Sequence, residues 1–178
     1  MPAPQMKGKW ARGIEPRMFT WVIKDRLAAA ERPGGYARNH RKVRRMEEII
    51  WLQQHGFTQI VSLLDSPHNL HAYEEMGIPH TQVAFGRAGG DLTTVLPTVY
   101  STLWDLLADH EQKVLVHLEE FGDRLSGLLA GYLLYTGLVD TGPVAISIIE
   151  HLTSRQLGPP GREVVTVTLE EKLRAPGE

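Results

Sequence analysis

The chain has 178 residues, enough for one domain with a proper hydrophobic core. Hydrophobic residues make up 42% and charged residues 22%, and a net charge of -2 with pI ≈ 6.4 gives no global field for nucleic acid or an anionic membrane. The sequence has no cysteine, which excludes disulfides, thiolate metal sites and any cysteine nucleophile.

Residues 1–17 are rich in Pro, Gly and charge and read as an arm lying over the surface, with no apolar run of the secretory kind. Residues 19–23 alternate large and β-branched side chains and predict a short strand. Lys24-Asp25-Arg26 then turns the chain into Leu27-Ala28-Ala29-Ala30, and Pro33-Gly34-Gly35 marks a loop. From 41 to 55 the positions Val43, Met46, Ile49, Ile50 and Leu52 recur at helical spacing, with Gly56 as a stop. Residues 57–64 form a continuous apolar run of the kind buried on both faces of a sheet.

A short helix opens after 65–69 and closes at Gly77. Residues 78–85 are a further strand candidate, 86–91 a glycine-rich loop and 92–108 a helix. A compact apolar strand at 113–117 precedes helices at 127–136 and 145–157, while 164–171 fits either strand or helix. The longest apolar stretch, 125–138, is too short and glycine-rich to span a bilayer. Strands alternating with helices imply a single α/β domain over 18–178 with a mainly parallel sheet, in a soluble, cytoplasmic protein.

In such sheets ligands bind beyond the carboxyl ends of the strands. There the chain reads Val114-Leu115-Val116-His117-Leu118-Glu119-Glu120-Phe121-Gly122-Asp123-Arg124. This segment resembles the phosphate-binding loop of the dual-specificity and protein tyrosine phosphatases, whose pattern is V-H-C, five residues, then R. His117 matches the histidine and Arg124 the arginine, and Leu118 stands on the cysteine. The small-residue helix from Gly127, the strand and "L-A-x-S-x-R-P" turn at 19–33 (with Ala30 for serine) and the helix, Gly-Phe, strand unit at 46–64 extend the resemblance over most of 19–157.

The resemblance implies a loop that wraps a phosphoryl group with backbone N–H donors at a helix N-terminus, an arginine binding its oxygens, an attacking thiolate, and an aspartic acid protonating the leaving group. This sequence departs from that at several points. Leucine offers no lone pair for attack. Phe121 replaces a glycine, and Leu125 replaces the Ser or Thr after the arginine. Glu119, Glu120 and Asp123 face a single arginine, and like charges a few ångströms apart cost about 1–4 kcal/mol each at effective dielectrics of 20 to 80. Asp91, the one acid of the 86–91 loop, is the general-acid candidate and lies late for that role.

The loop residues His117, Glu119, Glu120, Phe121, Gly122, Asp123 and Arg124 are therefore read as a binding site in a pseudophosphatase that acts as a binding or regulatory module. Its partner would be a protein or a non-phosphate small ligand, with no cofactor, metal, nucleic acid or membrane. The alternative is a hydrolase or lyase using His117 and the carboxylates for acid–base chemistry, and a third reading is a structural subunit whose loop is filled by Phe121. Plainer roles stand beside these: His117 as a hydrogen-bonded strand-end histidine, and Arg124 in a local salt bridge with Glu119, Glu120 or Asp123. His68 and His71 have a spacing that metal ligands share but lack a third ligand, and read as a surface helix start. The basic run Arg38, Arg41, Lys42, Arg44 and Arg45 opens a helix, where the macrodipole disfavours cations; it reads as a solvated face or, less simply, as a contact for an acidic partner or the acidic loop.

Overall fold

A computed structural model of the chain describes residues 13–177, so most of the arm read at 1–17 lies outside the described residues. The chain divides into two compact units. One runs up to Gln82 and includes His110–Phe121; the other comprises Val83–Asp109 and the chain from Gly122 onward. No helix among the described residues is long and apolar enough to cross a membrane.

The first unit is an α/β sheet structure. Five strands, β1 (Thr20–Ile23), β2 (Leu27–Glu31), β3 (Gln59–Ser62), β4 (His80–Gln82) and β5 (Val114–Leu118), lie in the order β1-β2-β5-β3-β4. Only the β1–β2 hairpin is antiparallel, and β2, β5, β3 and β4 are parallel to their neighbours. The parallel order puts β5 at the centre and aims its carboxyl end, His117–Leu118, at the rim where the next loop begins. β2 is the element that local sequence hides. Its alanines favour helix over strand, yet Leu27, Ala28, Ala29 and Ala30 are fully buried beside β5, where small side chains let a helix approach. β4 is shorter than the apolar run 78–85 suggests. Pro79 lacks an N–H and gives only its carbonyl to Ile60 (3.0 Å), and the Gln82 side chain donates to the carbonyls of Leu64 and Ser66 (both 2.9 Å) as the strand ends.

One face of the sheet is covered by α1 (Lys42–Gln54) and α2 (Leu70–Glu75). Ile49, Leu52, Ala72, Tyr73 and Met76 join Ala28, Ala30, Ile60 and Leu115 in a single apolar cluster. Glu48 is buried in the same helix. Its carboxylate accepts from Gly34 N (2.7 Å), Arg17 N (3.1 Å) and Arg44 Nε (3.2 Å), and burial pushes its pKa up while those donors hold it down. Ile14 N also donates to Glu47 O (3.1 Å), so the described end of the arm, 13–17, lies along α1.

The second unit holds α3 (Leu92–Leu107), α4 (Asp123–Thr136), α5 (Gly142–Thr153) and α6 (Pro159–Glu170). The ambiguous 164–171 segment belongs to α6, because Gly161, Val164, Val165 and Thr168 bury one helical face and Pro159-Pro160 open the first turn. α4 starts four residues before the apolar run predicted at 127, and residues 125–135 are all buried. α5 likewise begins early, at a Thr141 cap whose hydroxyl accepts from Val144 N (3.4 Å). Close approach of α4 and α6 depends on Gly127, where an added Cβ would overlap the Gly161 carbonyl oxygen. One turn on, a Cβ at Gly131 would overlap the Tyr100 hydroxyl, which is committed to Thr168 Oγ1 (2.7 Å).

Gly127→Ala should therefore lower unfolding stability by about 1–3 kcal/mol, the range for overpacking a rigid contact. Urea denaturation followed by circular dichroism measures it. A change below a few tenths would mean that the α4–α6 contact yields freely.

Candidate functional site

Residues 117–124 pass from the first unit to the second after Phe121. In the first, β5 ends in His117, which is fully buried. Its Nε2 lies 2.8 Å from the Tyr73 hydroxyl, and its Nδ1 lies 3.2 Å from the Leu118 carbonyl. The tautomer follows from the partners. Asn69 Nδ2 donates to the Tyr73 hydroxyl (3.1 Å), leaving the phenolic proton for Nε2, so Nδ1 carries the imidazole hydrogen toward the carbonyl. Burial, helped by the nearby Arg32 charge and opposed by the Leu118 bond, pushes the His117 pKa down to about 4.

The same chain of bonds continues outward. Asn69 Nδ2 also donates to Pro33 O (2.8 Å), and Asn69 Oδ1 accepts from Arg32 Nε (3.0 Å). Arg32, 6% exposed, lies 3.4 Å from the half-exposed Glu119 carboxylate, and its backbone N–H donates to Glu119 O (3.3 Å). Asn69 holds its place with a left-handed backbone (φ 70), a conformation asparagine tolerates better than most residues. A buried polar relay, Glu119–Arg32–Asn69–Tyr73–His117, thus spans the carboxyl rim of β2 and β5.

Beside it Leu118 is half-buried, Glu120 is exposed and accepts from the Tyr36 hydroxyl (3.3 Å), and Phe121 is only 3% exposed. The charge of Glu120 is the main reason the Tyr36 phenol titrates above its usual range. Both nitrogens of His117 are committed to structural bonds, which leaves no free lone pair for general-base work.

In the second unit Gly122 precedes α4 without a side-chain cap, and Asp123 sits in the first turn, where the helix dipole favours a carboxylate. The Asp123 carboxylate lies against Gly158, at the point that a Cβ there would occupy. Arg124 donates to the carbonyls of Gly86 (3.1 Å) and Phe85 (3.5 Å), with its guanidinium 4.3 Å from the Phe85 ring centroid. It also lines a cleft of about 270 Å³ with Arg87, Gly89, Leu92, Pro160 and Glu163. Asp91 is the cap of α3. It accepts from Thr93 N (3.1 Å) and from the Thr93 and Thr94 hydroxyls (both 2.6 Å), and the hydrogen bonds, led by that from Thr93, hold its pKa below the usual carboxylate range. A carboxyl so stabilised as the anion is a poor proton donor.

His71 pairs loosely with Glu75 (3.8 Å), and no group of three or more His, Cys, Asp or Glu among the described residues is placed to share a metal ion. Arg32, Asn69 and Tyr73 are the rim residues that sequence reasoning did not single out. The available signal was a charged Glu-Arg pair closing a buried strand just before Pro-Gly-Gly.

No protein-family model and no curated protein matches the chain. Solved structures do. Kinase associated phosphatase, with its catalytic-site cysteine substituted by serine, aligns at TM-score 0.69 and 19% identity over 89% of this chain and 96% of its own. The Cydia pomonella PTP-2 phosphatase aligns at TM-score 0.62 and 21% identity over 83% and 87%, respectively. The human tyrosine phosphatase-like serine/threonine/tyrosine-interacting protein aligns at 0.61 and 14% over 86% and 95%. The fold is that of the dual-specificity phosphatases. The chain carries no cysteine, so no thiolate is present on this fold.

The depressed His117 pKa has a stability consequence. The unfolded imidazole, near 6.5, takes up a proton that the folded one refuses until about 4, so stability falls as pH falls through that window. Between pH 7 and 5 this contributes a loss of about 2 kcal/mol. Urea midpoints at the two pH values measure it, and His117→Gln should flatten the difference. An unchanged pH dependence in that variant would place the proton uptake elsewhere.

Proposed function

We propose that this protein is a pseudophosphatase, a phosphatase-like domain over 18–178 with an arm at 1–17, which binds a partner instead of hydrolysing phosphate esters. The observation that carries the reading is Leu118 at the end of β5, where the fold's chemistry needs a thiolate and the chain has none to supply. Three further features support it. Asp91 is spent as a helix cap, Arg124 is engaged with the Phe85 and Gly86 carbonyls, and Phe121 is buried where the family pattern has glycine. With Glu119 paired to Arg32, Glu120 and Asp123 still make the loop unfavourable for a phosphate dianion, so a protein surface or a neutral or cationic ligand fits it better. One solved structure of this fold is itself named phosphatase-like and interacting, which suits a binding role. A cytoplasmic site of action accompanies the proposal.

Purified protein should show no turnover of para-nitrophenyl phosphate or phosphopeptides above a buffer control. Turnover that Arg124→Ala abolished would overturn the reading. Leu118→Cys should stay inactive as well, since one thiol restores neither the acid nor the phosphate cradle. Robust activity in that variant would mean that the site lacks only its nucleophile.

A further inference from the structure

Away from the loop, residues 36–45 read Tyr-Ala-Arg-Asn-His-Arg-Lys-Val-Arg-Arg, with five Lys or Arg, one His and no acid. They lead from a single 3-10 turn (Ala37–Asn39) into α1, whose cap residue Arg41 makes no side-chain capping bond and whose first turn holds no acid. Cations at a helix start oppose the dipole, so an acidic partner there would relieve an unfavourable placement. Among the described residues only Arg44 has an acidic partner, its ion pair with Glu48 (3.2 Å). Arg38, Arg41 and Lys42 are exposed and make no ion pair with an acid among the described residues. Arg45 Nη1 donates to His40 Nε2 (3.3 Å), whose pKa burial and the nearby Arg32 and Arg45 charges push down, and the buried Nε of Arg45 has no hydrogen-bond partner among the described residues. The patch is held in shape from below, since Arg41 N donates to Gly34 O (2.9 Å) and the Gly34 turn lies against Arg45. In its middle Val43 is 45% exposed, an apolar contact point inside a ring of charge.

We infer that the 38–45 surface is a docking site for an acidic protein segment, with carboxylates on Arg38, Arg41, Lys42 and Arg45 and an apolar side chain on Val43. The patch covers one helical turn and its lead-in on a chain of net charge -2, which is too small a basic field for nucleic acid or an anionic bilayer. It matches the reach of a short peptide carrying three or four carboxylates around one apolar residue. The inference is independent of residues 117–124.

The test uses the full chain and a fluorescein-labelled peptide of aspartates and glutamates around a central leucine, followed by anisotropy at physiological ionic strength. Saturable binding that weakens with added salt is expected. The combined variant Arg38→Glu, Arg41→Glu, Lys42→Glu should lose roughly tenfold in affinity, whereas Arg38→Lys with Arg41→Lys should stay within roughly threefold. Lys24→Glu with Lys172→Glu, both exposed cations outside the segment, should leave affinity unchanged. Circular dichroism establishes that each variant is folded. The inference is overturned by absence of saturable binding, by an equal loss in the Lys24/Lys172 variant, or by tighter binding of single-stranded RNA. Tighter binding of vesicles of equal phosphatidylcholine and phosphatidylserine would also overturn it.

Discussion

A guanidinium withdrawn from water at Arg32 constrains the whole carboxyl rim of the first unit. Burying that charge costs several kcal/mol unless acceptors surround it, so Asn69 and Glu119 must both face it. Asn69 does so with its backbone in the left-handed region (φ 70), and its amide nitrogen donates to Pro33 and Tyr73. Tyr73 then has one proton left, and it goes to His117. Each bond fixes the orientation of the next, which is how a partly satisfied network would become costly and a complete one becomes rigid.

That arrangement turns the residues most suggestive of chemistry into structural ones. His117 is neutral because it is buried and fully bonded, and Glu119 serves Arg32. On the other side of the covalent boundary, Arg124 and Asp91 are likewise committed, one to backbone carbonyls and an aromatic face, the other to the first turn of α3.

The second unit depends on a different constraint, the closeness of backbones. Gly127 and Gly161 let α4 and α6 meet without intervening side chains, and Gly131 leaves room for the Tyr100 hydroxyl and its Thr168 partner. Any side chain at these points must displace backbone or a buried hydrogen bond, so the glycines here set packing distance and not flexibility. The nearly complete burial of 125–135 follows from that packing.

Periodicity alone located most elements. The helical spacing of Ile49 and Leu52, the β-branched run at 57–64 and the apolar strand ending in His117 each report a burial pattern that does not depend on distant partners. The absence of thiolate chemistry was equally legible, since a chain without cysteine has no thiolate in any fold. Tertiary structure alone decided the rest. Leu27–Glu31 is a strand because β5 and α1 require small buried residues there, against the helical preference of alanine. The helical state of α6 was set by which face of 161–168 met α4. The partners of Glu119, Glu120, Asp91 and Arg124 were invisible in sequence because they come from residues 38 to 87 positions away or, for Asp91, from the geometry of a cap. Charge type can be read from a single residue, but who neutralises it is settled only when the chain has folded.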